Sequence, residues 1–236
     1  MHAQKQPYST RWWQCLIMAG ALASPMAMAG FEDPASASWG RWNRGDAGTI
    51  HHFWEDFVSN SFPNFVSDDT PNESFGPGTA IVSEFNGSIT TSTLNAYNQG
   101  GIQDVEVLVD GNAEASPVRV ALQLRTFTTV ADPGSVALNG LAPDSILEIA
   151  TDIGFVQVDF DGPGPMPPQA VPFDIVDTLY LWTLDSGAAA YAFSFLASDT
   201  GMSLDQLAVD IAPVPLPLPA LLLGSGLAAL AGLRRG

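Results

Sequence analysis

The chain has 236 residues, 25 acidic against 8 basic side chains, and a net charge of −17. Phosphate binding needs clustered lysine and arginine, so this balance excludes nucleic acid as a partner. The one cysteine, Cys15, lies near the N-terminus, so the rest of the chain has no disulfide, no catalytic thiol and no cysteine-based zinc site.

Lys5 and Arg11 form a basic start, followed by the short apolar run Cys15–Ala23. Ala27-Met28-Ala29 is an A-x-A cleavage site ahead of Gly30. The pattern predicts a secretory signal peptide over 1–29. The region 30–212 is one domain by size and long enough for a true core. All 25 acids fall in it against only Arg41, Arg44, Arg119 and Arg125, which leaves −21. Such a surface favours divalent cations, tolerance of high salt, or plain solubility.

Within this domain, 30–38 reads as a loose leader and 39–57 as aromatic-rich. The stretch 59–78, with three prolines and three asparagines, reads as a long loop. From Thr79 onward short β-like runs recur. Ala80–Phe85 ends at Asn86-Gly87, a hairpin turn signal. Val105, Val107 and Val109 alternate with Asp104, Glu106 and Leu108. Val118, Val120, Leu122 and Leu124 share one face, with Arg119, Gln123 and Arg125 opposite. Further strands are expected at 145–150, 155–160, 178–184, 189–196 and 204–211. Tyr191, Phe193 and Phe195, at period two, are expected in the core. Asp161–Pro168 is a proline-rich loop that no inner strand would contain. The expected fold is all-β: an antiparallel β-sandwich, jelly-roll-like.

The tail, 213–236, is of another kind. Leu216–Leu233 gives 18 residues without a charge, near the lower limit for a membrane-spanning helix. Pro217 and Pro219 sit where a helix tolerates them, in its first turn. Arg234 and Arg235 favour a cytoplasmic end. Val214-Pro215-Leu216-Pro217 and Pro217-Leu218-Pro219-Ala220, with the apolar stretch and the closing arginines, resemble a PEP-CTERM sorting signal of the VPLPA type. The motif is stretched to VPLPLPA, and two arginines close it. The resemblance implies anchoring in the inner membrane, processing near the prolines by an exosortase, and a mature product at the cell surface or in an extracellular polymer matrix. Segments 135–143, 179–182 and 203–206 also resemble the β-rich ectodomains found ahead of such tails, which implies no activity.

Candidate sites each have a plain competitor. His51, His52, Glu55 and Asp56 would hold zinc if helical. In an extended chain they split between two faces, as solvated histidines of an outer strand. Calcium is the ion suited to Asp68 and Asp69, in the loop from Asn64 to Glu73, and to Asp159 and Asp161. The competing reading is a solvated acidic surface. Asp199-Thr200-Gly201 matches an aspartic-protease triplet, but that chemistry needs two. Arg119 and Arg125 are expected to be exposed, with Asp104 and Glu106 as cross-strand partners, so losing Arg125 should be nearly silent. The function expected is a non-enzymatic surface or matrix module. The alternatives are a carbohydrate-binding module stacking sugars on Trp39, Trp42, Trp54 or Trp182, and a polysaccharide hydrolase or lyase using paired carboxylates with Arg119 and Arg125.

Overall fold

The computed structural model describes residues 31–61, 65–91, 93–98, 100–112, 116–158 and 169–214. The signal peptide with Ala27, Ala29 and Gly30, the tail from Pro215 onward, and Asn64, Asp159 and Asp161 lie outside the described residues. Among the described residues no helix is long and apolar enough to cross a membrane.

The described fold is all-β. In chain order the strands are β1 (Ile50–Trp54), β2 (Ser59–Ser61), β3 (Phe65–Val66), β4 (Glu73–Phe75), β5 (Ala80–Glu84), β6 (Ile89–Thr90) and β7 (Ala96–Tyr97). Then follow β8 (Asp104–Asp110), β9 (Val118–Phe127), β10 (Ala137–Leu138), β11 (Ser145–Val158), β12 (Gln169–Leu184), β13 (Ala190–Leu196) and β14 (Ser203–Pro213). They form two antiparallel sheets. The larger runs β11-β12-β9-β14 and then divides. One end of β14 pairs with β7, which leads to β6, β3 and β2. The other end pairs with β1, and β1 with β4. The smaller sheet has the order β10-β13-β8-β5.

Alternation in the sequence explains the core. Val105, Val107 and Val109 of β8 and Tyr191, Phe193 and Phe195 of β13 point the same way from the smaller sheet. They share one apolar cluster with Val118, Val120, Leu122 and Leu124 of β9, Tyr180 and Trp182 of β12, and Leu207, Val209 and Ile211 of β14. Each large side chain buried there contributes about 1.5–3 kcal/mol. Surface ion pairs give about 0–1 kcal/mol, so this core is what drives folding.

Several boundaries differ from expectation. Asn86-Gly87 does turn, with Gly87 at φ +86°, yet it joins no hairpin. β5 belongs to the smaller sheet and β6 to the larger one. The stretch 59–78 is not one long loop but carries β2, β3 and β4. The two strands expected at 145–150 and 155–160 are the single β11, with a bulge between Glu148 and Ala150. β12 starts earlier than expected and includes Pro172. That proline faces only β11, because pairing with β9 begins at Ile175. No hydrogen bond from Pro172 to β9 is therefore called for.

The largest departure is the segment 31–48, which was expected to be loose at its start. It lies across the outer face of the larger sheet as a strap. Trp39 and Trp42 meet edge to face at 5.4 Å and form a second apolar cluster with Ala121, Leu179, Leu181 and Ala212. Polar bonds fix it further. Glu32 N donates to Gln123 Oε1 at 2.8 Å, and Gln123 Nε2 donates back to Glu32 O at 3.0 Å. Trp39 Nε1 donates to Glu32 Oε2 at 2.6 Å, and Arg119 Nη1 to Trp39 O at 2.9 Å. The strap's tight turn brings Arg41 N within 2.7 Å of Pro34 O. A Cβ on Gly40 would sit 1.9 Å from that same oxygen, so only glycine fits.

Candidate functional site

A cleft of about 320 Å³ opens on this outer face, where the strap ends short of β4. Its floor is Ala208 and Gln206 of β14, His51 and Phe53 of β1, and Arg125 of β9; Phe31 and Arg44 wall it from the strap, and Glu55 and Glu73 rim it. Register explains the convergence. Phe53 pairs with Ala208 on one side and Glu73 on the other, and Gln206 pairs with Arg125. The small Ala208 leaves the space that its larger neighbours surround.

Two ion pairs frame the cleft, one buried (Arg125 with Asp177) and one in which only the acid is fully buried (Arg44 with Asp210). Arg44 Nε and Nη2 donate to Asp210 Oδ1 and Oδ2 at 2.8 and 2.9 Å, and His51 Nδ1 bonds the same Oδ1 at 2.9 Å. A carboxylate only accepts, so the proton of this bond sits on Nδ1. Arg125 Nε and Nη2 donate to Asp177 Oδ1 and Oδ2 at 2.7 and 2.6 Å. The Arg125 guanidinium also lies 5.9 Å from the Phe31 ring. Such two-point pairs fix geometry as well as charge.

Burial is the largest single influence on the Asp210 carboxyl and pushes it up, but Arg44 and His51 together outweigh it and hold it below the usual range. Asp205 has no such compensation. Burial pushes it up to about 6, Arg125 opposes this in part, and Asp177 and Glu55 reinforce it. On the other face of β1, burial and the neighbouring His51 bring His52 down to about 4, against a small opposing effect of Asp110.

The contributions of these two groups oppose each other between about pH 6 and pH 4. Asp205 takes its proton in the folded state at about 6 and in the unfolded chain near 3.8. Stability from this group therefore rises as pH falls from about 6 to about 4. His52 does the reverse: the unfolded chain takes the proton near 6.5, the folded state only at about 4. Stability from His52 falls over the same window. Unfolding free energies at pH 7, 6, 5 and 4 should therefore drop more steeply for Asp205→Asn than for the parent. For His52→Gln they should rise toward acid. A parent-like slope in both variants would contradict these assignments.

The structure corrects several expectations here. His51 and His52 do lie on opposite faces of a strand, but β1 is flanked on both sides, and the two rings are only 2% and 1% exposed rather than solvated. His52 Nδ1 bonds Ser74 Oγ at 2.9 Å, and its Nε2 is buried without a partner. Asp68 is exposed at φ +51°, whereas Asp69 is buried and accepts from Val58 N at 3.1 Å. Asn72 Oδ1 accepts from Glu55 N and Asp56 N at 2.8 and 3.0 Å. Much of this loop's oxygen is thus turned to its own backbone. Among the described residues no group of three or more histidine, cysteine or acidic side chains is arranged to hold a metal. Asp199-Thr200-Gly201 is a turn, with Thr200 N bonded to Asp199 Oδ1 at 2.7 Å and Gly201 at φ +83°.

Trp39, Trp42, Trp54 and Trp182 are all buried, so none offers a face to a sugar. Trp54 Nε1 donates to Asp69 O at 3.2 Å and Trp182 Nε1 to Leu141 O at 3.0 Å. Arg119 and Arg125 do not meet Asp104 and Glu106, which belong to β8 in the other sheet. Arg125 is 3% exposed. The sequence reading passed over Asp177, Asp210, Gln206 and Phe31. A signal existed for two of them: a lone acid inside an apolar strand, as in Ile175-Val-Asp177-Thr and Ala208-Val-Asp210-Ile, demands a partner. No protein-family model, no curated protein and no solved structure matches this chain.

Proposed function

We propose that this chain is an exported surface or extracellular-matrix protein, built as an acidic, jelly-roll-like β-sandwich that acts as a non-enzymatic interaction module. In this reading 1–29 is a signal peptide and 213–236 a sorting tail of the PEP-CTERM type. The tail anchors the protein in the inner membrane through its apolar helix until an exosortase-type enzyme cuts near Val214–Ala220. The observation that carries it is where the body stops. β14 ends at Pro213, and Val214 N is held by Pro117 O at 2.8 Å. The proline motif begins at that same Val214, so a processing site would abut a finished domain.

Intact mass of the released protein tests this reading. The expected product begins at Gly30 and lacks Arg234 and Arg235. Arginines retained on released protein would remove the sorting step.

Binding of exopolysaccharide is a second reading, favoured by the cleft and not by the buried tryptophans. A polysaccharide hydrolase or lyase would have to use Glu55 and Glu73, the two carboxylates that rim that cleft. Release of reducing ends from the host's own matrix, lost in Glu55→Gln, would establish that activity instead.

A further inference from the structure

What the cleft leaves open is a set of acceptors. Its two cations are already committed, Arg44 to Asp210 and Arg125 to Asp177. Glu55 and Glu73 at the rim are exposed, and neither takes part in an ion pair among the described residues. Gln206 is only 8% exposed, lines the cleft, and has no side-chain partner. Its amide oxygen is therefore available as an acceptor to a ligand in the cleft. Phe31 and Phe53, 6.0 Å apart and edge to face, supply the apolar part.

Acceptors around a negative rim with phenyl walls fit one chemistry: a primary ammonium on an apolar stem. An ammonium brings three donors and no acceptor. Its stem packs on the rings, and its charge is favoured by both rings and carboxylates. We propose that the cleft binds a lysine side chain presented by a partner protein, with Phe31 and Phe53 against the stem and Glu55, Glu73 and Gln206 receiving the ammonium. The partner is not a second copy of the domain, because 30–212 contains no lysine. A domain of −21 also draws in basic partners at long range. This inference rests on the domain being an interaction module, and it stands apart from the sorting of the tail.

The test is calorimetric titration of the purified full chain, in mild detergent, with the peptide acetyl-Gly-Lys-Gly-amide at constant ionic strength. Saturable binding is expected, at least tenfold weaker for the same peptide carrying acetyl-lysine. Glu55→Gln with Glu73→Gln should also weaken it at least tenfold while the melting midpoint stays put, since both side chains are exposed. Equal binding of the acetylated peptide, or no binding of the lysine peptide, overturns the proposal. So does binding of glucosamine or calcium where the lysine peptide fails, which would make the cleft a sugar or metal site. Sorting is read by intact mass in a separate experiment, so failure of one leaves the other intact.

Discussion

Replacing Arg125 by alanine is expected to lower the unfolding free energy by about 3–5 kcal/mol, the cost of orphaning one charge of a buried pair. The sequence alone suggested a silent change, on the premise that a polar side chain opposite a core face is solvated. Here that face lies under the strap, and the guanidinium is bound at two points by Asp177. Asp205, close by, also draws on Arg125 for much of its relief from burial. The double variant Arg125→Met with Asp177→Leu leaves no charge stranded and should cost clearly less than Arg125→Ala alone. Equilibrium denaturation in urea measures both. A loss below about 1 kcal/mol for the single variant would mean that the pair behaves as an exposed one.

Asp210→Ala is expected to cost a similar amount, about 3–5 kcal/mol, with a different signature. Asp210 is 1% exposed and serves both Arg44 and His51. Arg44 belongs to the strap, so the variant should loosen residues 31–48 before the sheets open. Limited proteolysis ought to cut near Arg41 or Arg44 in the variant under conditions where the parent is intact. The pH dependence follows from the carboxyl's lowered value. Its stabilising effect is present above the ordinary value of 3.8 and is lost as pH falls through the lower folded value. The variant should therefore lack the parent's steepest loss below about pH 4. An unchanged acid limb would show that Asp210 is not paired in solution.

How far the sequence could be read depended on period. Seven-residue β8 and ten-residue β9 have enough alternation to separate an inner from an outer face, and their core residues were legible one by one. Tyr191, Phe193 and Phe195 were legible for the same reason. β2, β3, β4, β6 and β7 have two or three residues each and carry no period at all. β11 has length, but its bulge at Glu148 shifts the phase midway, and one strand looked like two. The site was the least legible part. Alternation tells which side chains leave the core, not whether water or another segment receives them. Gln123 and Arg119 looked solvent-facing because their partners, Glu32 and the Trp39 carbonyl, lie 91 and 80 positions away. The strap itself has no strand or helix pattern, and its hold on the sheet is through single side chains.

The same strap carries a consequence for the order of folding. Arg44 is synthesised 166 positions before Asp210, and β1 pairs with β14, the last strand of the domain. Any process that delivers the chain from its N-terminus presents the strap and β1 long before their places exist. Until β14 arrives, β9 has β12 alone beside it, and Trp39 and Trp42 lack the Ala212 that helps receive them. Loops of this span must be closed before the contacts that reward closure can form, so folding is slow and late. During that interval the apolar strands stay open to association with other chains. Excess like charge keeps unfinished copies apart. The acids spread through this domain thus keep unfinished copies apart at a stage when Arg44 and His51 still wait for Asp210.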